Sequence, residues 1–124
     1  MSRVILVADD DDDILLLVTT RLKRDGFEVV SARNGIEALV LAETHKPRVA
    51  VLDVGMPGLD GVEVLTAIRA AEGMSETRVL LLTAKAQESD VRRGYDAGAD
   101  AYVKKPFSPA ELAQRVKELY DGAL

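Results

Sequence analysis

The chain has 124 residues, the size of one domain, with 48% hydrophobic residues but only 4% aromatic, so its core is built from Val, Leu, Ile and Ala. A net charge of −5 argues against a broad basic face for nucleic acid, and the lack of cysteine excludes disulfides and thiolate metal sites, which fits a reducing cytoplasm. No run approaches the ~18 apolar residues of a membrane span, so the expectation is one soluble cytoplasmic domain, residues 1–124, that touches neither membrane nor nucleic acid directly.

The first apolar run, Val4–Ala8, is followed by the acids Asp9 to Asp13. Such a charge run is ordinarily a solvated loop. Asp9 and Asp10, however, follow a strand with an apolar sequence throughout, and a carboxylate pair there needs a cation to offset its repulsion. Asp11 to Asp13 suit the positive N-terminal end of a helix. An EF-hand is excluded, because Ile14 holds its sixth position and Thr20 its twelfth. In the first helix Ile14, Leu17, Val18 and Leu22 form the expected core stripe, which leaves Leu15 and Leu16 off it as a docking patch for a partner. Gly26 marks the end of this helix.

The second run is Val29–Ala32, and Asn34 with Glu37 three residues on is a cap signature for the second helix. His45, the only histidine, lies in a polar stretch and reads as a solvated loop residue. The third run, Val49–Leu52, leads into Asp53 and a turn-rich segment containing Gly55, Pro57, Gly58 and Gly61. Asp60 with Glu63 fills the capping role there, which leaves Asp53 for chemistry. After the fourth run, Val79–Leu82, comes Thr83, whose hydroxyl either closes an ST-turn or bonds a phosphoryl oxygen. Gly98 stops the fourth helix. The fifth run, Ala101–Val103, carries Tyr102, an amphipathic ring that sits in or out, and leads to Lys105 and Pro106. Ser108, Pro109 and Glu111 open the last helix.

Five strand and helix units in alternation predict an α/β fold. Runs one, three and four are apolar throughout and belong in the sheet interior; runs two and five are shorter or mixed and belong at its edges. Right-handed crossovers then give a doubly wound five-stranded parallel sheet, order 2-1-3-4-5, flavodoxin-like, with helices on both faces. Its winding reverses between strands one and three, where ligands bind beyond the carboxyl ends. Asp9, Asp10, Asp53, Thr83 and Lys105 all gather at that edge, as a site for a divalent cation, Mg²⁺ or Mn²⁺, and a phosphoryl group. Mg²⁺ takes octahedral oxygen ligands and keeps several waters, so these carboxylates with the Gly55 carbonyl make a sufficient protein share. An ionised aspartate is also a competent phosphoryl acceptor.

Four segments occur in order: Ile5-Leu6-Val7-Ala8-Asp9-Asp10, Leu52-Asp53 through Asp60-Gly61, Leu82-Thr83-Ala84, and Tyr102-Val103-Lys104-Lys105-Pro106-Phe107. With them the chain, from Val4 to about Tyr120, resembles the receiver domain of bacterial two-component response regulators, including the single-domain chemotaxis (CheY-like) type. The resemblance implies that Asp53 accepts a phosphoryl group from a phosphohistidine on a sensor histidine kinase or phosphotransfer protein, with Asp9 and Asp10 holding Mg²⁺. It implies that Thr83 and Lys105 contact the phosphoryl oxygens, that the Lys105–Pro106 bond is cis, and that Thr83 and Tyr102 switch a target-binding surface of helix four, strand five and helix five. It further implies a signalling domain rather than an enzyme, with Gly55 and Lys85 where the family tunes phosphoryl lifetime. Asp12 stands where many members have Pro, Leu16 where many have a polar residue, and Ala101 where members that dimerise through strand five carry a second Asp. Two other readings are a receiver within a longer DNA-binding regulator and a haloacid-dehalogenase-like phosphatase, whose second Asp would fall at Gly55.

Overall fold

Strand and helix alternate along the chain: β1 (Val4–Ala8), α1 (Asp12–Arg24), β2 (Glu28–Ala32), α2 (Gly35–His45), β3 (Val49–Asp53), α3 (Gly61–Ala70), β4 (Arg78–Thr83), α4 (Glu88–Asp96), β5 (Ala101–Lys104) and α5 (Pro109–Asp121). This computed structural model describes residues 3–84 and 88–122. All strand pairings are parallel and the order is β2-β1-β3-β4-β5, as the hydrophobic runs predict.

Period-two alternation divides each central strand between two cores. Ile5, Val7, Val49, Val51, Leu80 and Leu82 face α1 and α5, where they meet Leu15, Val18, Leu22, Leu112, Val116 and Leu119. Leu6, Ala8, Ala50, Leu52, Val79 and Leu81 face the other way, toward Ala38 and Ala42 of α2 and Val62, Leu65 and Ile68 of α3. Because both faces of β1, β3 and β4 are covered, those strands carry apolar side chains in continuous runs. The edge strands β2 and β5 keep exposed or half-buried positions.

Helix starts follow the expected caps. Asp11 accepts from the Asp13 and Ile14 amides, with Asp12 and Asp13 in the first turn of α1. Asn34 accepts from Glu37, Ser108 from Glu111, and Asp60 and Glu63 exchange both bonds of a capping box. α2 runs on to His45, which is half-buried at its end instead of lying in a loop, and Lys46 closes the helix in the left-handed conformation.

The structure corrects one surface expectation. Leu15 is buried in the α1/α5 core, whereas Leu17 is 47% and Leu16 67% exposed. Two apolar stripes on α1 share Val18 and Leu22. The one through Leu15, at spacings of three and four, turns inward. Leu15 is therefore no docking residue, and the outward pair is Leu16 and Leu17.

The two ends of the sheet differ in charge. Acids collect at the carboxyl end, while Lys46, Arg48, Arg69 and Arg78 lie at the other, around a cleft of about 680 Å³. Arg48 and Arg69 answer backbone carbonyls there, and Arg78 pairs with Asp100 at 3.5 Å. Arg48 donates to Tyr120 O at 2.6 Å, and Arg69 donates to the carbonyls of Ser75, Thr77 and Gly98 and to Asp100. That cleft lies away from the acidic edge, and Arg48 and Arg69 in its lining are held in these structural bonds.

Candidate functional site

Asp9 leaves β1 fully buried, because its amide continues the sheet by donating to Ala32 O at 3.1 Å. Its Oδ1 accepts from the Asp11 amide at 2.9 Å, which turns the chain into α1. Asp10 is exposed beside it. Asp53, the last residue of β3, is 5% exposed, and the next amide, of Val54, donates across to Leu82 O at 2.8 Å. Carboxylate oxygens of Asp9, Asp10 and Asp53 lie within 4.8 Å of one another.

Lys105 arrives from the far side of the sheet. Its amide donates to Thr83 O at 2.7 Å, extending the β4–β5 ladder by one residue. Its Nζ then stands 2.9 Å from Asp9 Oδ2 and 3.3 Å from Asp53 Oδ1. The first contact is an ion pair without good hydrogen-bond alignment, so the buried Asp9 Oδ2 still has no hydrogen-bond donor. The Lys105–Pro106 peptide is cis, as the resemblance implies. Thr83 ends β4 buried, one strand over from Asp53.

Electrostatics mark Asp53. Burial, then the charge of Asp9, pushes its carboxyl up to about 6, and Lys105 and the Gly55 amide only partly offset this. Burial works against the charge on Lys105, but its close contact with Asp9 and the charges of Asp53 and Asp9 outweigh that and raise its pKa. Three carboxylates against one ammonium leave the cluster short of positive charge. Hard oxygen donors with a negative excess and one buried oxygen lacking a donor fit a hard divalent cation.

The structure thus brings Asp9, Asp10, Asp53 and Lys105 into one cluster, with Gly55 beside the Asp53 carboxylate and Thr83 at the adjoining strand end. Tyr102 lies apart from it, half-buried between sheet and α4, its ring centroid 5.8 Å from that of Tyr95. A Cβ at Gly94 would come within 2.7 Å of the Tyr102 ring, so α4 rests directly on that side chain. Lys85 lies outside the described residues. Asp12 is exposed and pairs with Arg33 at 3.0 Å.

Sequence reasoning missed two ties. Arg93 of α4 reaches Asp60 at 3.1 Å, and Arg69 joins Asp100 at 2.9 Å. Only the fold puts these partners together.

Residues 5–117 match the family model described as response regulator receiver domain. The chain is 46% identical over 119 residues to the alkaline phosphatase synthesis transcriptional regulatory protein PhoP of Bacillus subtilis, covering 96% of this chain and 49% of PhoP. It is 41% identical to the transcriptional regulatory protein SrrA of Staphylococcus aureus, covering 96% and 48%. The chain therefore spans about half the length of these curated relatives. The chemotaxis response regulator CheY4 of Vibrio cholerae superposes with a TM-score of 0.89 at 30% identity, over 96% of this chain and 99% of CheY4. With four motifs, a reversed parallel sheet and an acidic edge all in agreement, the chain belongs to the response regulator receiver domains of two-component systems.

Proposed function

We propose that Asp53 is the phosphoacceptor of this receiver, taking its phosphoryl group from a phosphohistidine on a sensor histidine kinase or phosphotransfer protein. The observation that carries this reading is the buried Asp53 carboxylate, 3.3 Å from the Lys105 ammonium and within 4.8 Å of Asp9 and Asp10. Asp9, Asp10, Asp53 and the Gly55 carbonyl would hold Mg²⁺ or Mn²⁺. When bound, the cation supplies neutralisation of phosphoryl oxygens. In the transfer, an Asp53 oxygen forms the new bond to phosphorus as the phosphorus–nitrogen bond of a phosphohistidine protonated on its other ring nitrogen breaks, leaving neutral imidazole, which keeps that proton, and an acyl phosphate. Lys105 and the Thr83 hydroxyl hold the transferred oxygens. Little covalent work falls to the protein beyond positioning and charge.

The switch rests on Thr83 and Tyr102. Recruitment of Thr83 to the phosphoryl group opens space beside Tyr102, which turns inward and alters the surface of α4, β5 and α5 offered to a downstream target. Leu16 and Leu17 on α1 form the patch that meets the kinase. The chain acts as one cytoplasmic signalling domain over residues 1–124, not as an enzyme; among the described residues no helix is long and apolar enough to cross a membrane. The names of PhoP and SrrA support a second reading, in which this receiver serves a transcriptional regulator whose DNA contacts lie in another domain.

Incubation with labelled acetyl phosphate and Mg²⁺ tests the assignment. Uptake should stop at one phosphoryl group per chain. Sustained turnover of small phosphate esters would instead indicate a phosphatase.

A further inference from the structure

The loop from Val54 to Asp60, which joins Asp53 to α3, is held by two glycines. At its far end the Gly61 amide donates to Val54 O at 3.2 Å, and a Cβ on Gly61 would come 2.5 Å from Asp53 O. The second glycine belongs to another element. Gly35, the first residue of α2, donates its amide to Pro57 O at 3.3 Å. A Cβ there would fall 1.9 Å from Leu59 O, far inside the 3.0 Å that real Cβ atoms keep. Beside it, Ile36 Cδ1 lies 3.3 Å from the Cβ position of Gly58. The first turn of α2 therefore touches three consecutive loop residues.

Backbone conformation does not demand glycine at position 35, because Gly35 is not among the residues with positive φ. Alanine is also the better helix former. What excludes a side chain is the Leu59 carbonyl, a backbone atom that yields only if the loop moves.

We propose that the first turn of α2 is a backstop for the Asp53 loop, with Gly35 a positioning residue for phosphoryl transfer; this rests on Asp53 being the phosphoacceptor. A methyl at position 35 displaces Leu59, and the displacement passes along the loop to Gly55, whose Cβ position lies 4.0 Å from Asp53 Oδ2. Asp9 and Asp10 follow β1 and stay in place. Because the Gly55 carbonyl is one of the groups proposed to hold the cation, Gly35→Ala should slow transfer and weaken Mg²⁺ binding together, which a loss of stability from another core does not do.

The test compares the wild type, Gly35→Ala and Val116→Ala, the last destabilising the opposite core from α5. Mg²⁺ affinity is read by calorimetry and the rate of labelling from acetyl phosphate is read at saturating Mg²⁺. Gly35→Ala should label about tenfold more slowly even at saturating Mg²⁺, since displacements near an ångström cost that much or more, and should bind Mg²⁺ more weakly than the wild type. Val116→Ala should label at the wild-type rate. Wild-type labelling by Gly35→Ala, or an equal loss in Val116→Ala, overturns the backstop. A wild type that takes no label overturns the reading of Asp53, and the backstop with it.

If Gly35→Ala does not fold, amide resonances of the wild type decide. On addition of Mg²⁺ and beryllofluoride, the Gly35 amide should shift together with Gly55 and Leu59 while Lys23, in the last turn of α1, stays still. A stationary Gly35 beside a shifting Gly55 overturns the proposal.

Discussion

Lys105 and Asp53 form a 3.3 Å ion pair with both side chains largely buried, although one ends the third strand and the other follows the fifth. The pair does not fully ionise the carboxyl, because burial and Asp9 still hold Asp53 up at about 6.

A pH dependence of stability follows. A carboxyl whose folded pKa exceeds its ordinary value of 3.8 favours folding when protonated, so its contribution is complete below that value and is lost as pH rises through about 6. Metal-free wild type should therefore gain, relative to Asp53→Asn, on the order of 1–3 kcal/mol between neutral pH and about pH 4. Calorimetric melting of both proteins across this range checks it; parallel curves would contradict the raised carboxyl.

The same group links protons to cation binding. Protonating Asp53 would remove one of the three carboxylates proposed to hold the cation, so the apparent Mg²⁺ affinity should weaken as pH falls through about 6. Asp10→Ala should weaken it at every pH. Titration calorimetry at two pH values reads both effects, and an affinity independent of pH would exclude Asp53 from the ligand set.

At the opposite edge, Arg69 satisfies three backbone carbonyls and Asp100, which in turn accepts from the Val79 amide at 2.8 Å. Arg69→Ala strands these partners in partly buried positions and should cost about 2–4 kcal/mol in urea unfolding. Below the transition, labelling should stay at the wild-type rate. A loss of stability under about 1 kcal/mol would mean that solvent replaces these bonds.

Leu15 and Leu16 should part ways. Leu15→Ala removes a buried side chain and should cost about 2–4 kcal/mol. Leu16→Glu should leave the melting temperature almost unchanged, preserve labelling from acetyl phosphate and slow transfer from the kinase. Equal kinase rates for wild type and Leu16→Glu would remove the docking patch.

Sheet order and site were legible in the sequence for one physical reason. Strands covered on both faces admit no polar residue until they end, so Asp9, Asp53 and Thr83 announce the same edge. Helix caps were equally local, as at Asn34, Asp60 and Ser108. The rotation of α1 was not, because Leu15 and Leu17 lie on stripes of equal quality and contact with α5 chooses between them. Nor was the α2 backstop, since the clash at Gly35 is with a carbonyl from a distant loop.

The central claim is tested most directly by labelling wild type and Asp53→Asn with radioactive acetyl phosphate in Mg²⁺, then mapping the label. Wild type should carry one acid-stable, base-labile acyl phosphate at Asp53, and Asp53→Asn none. Label retained in Asp53→Asn, or mapped to another residue of the wild type, would contradict the account.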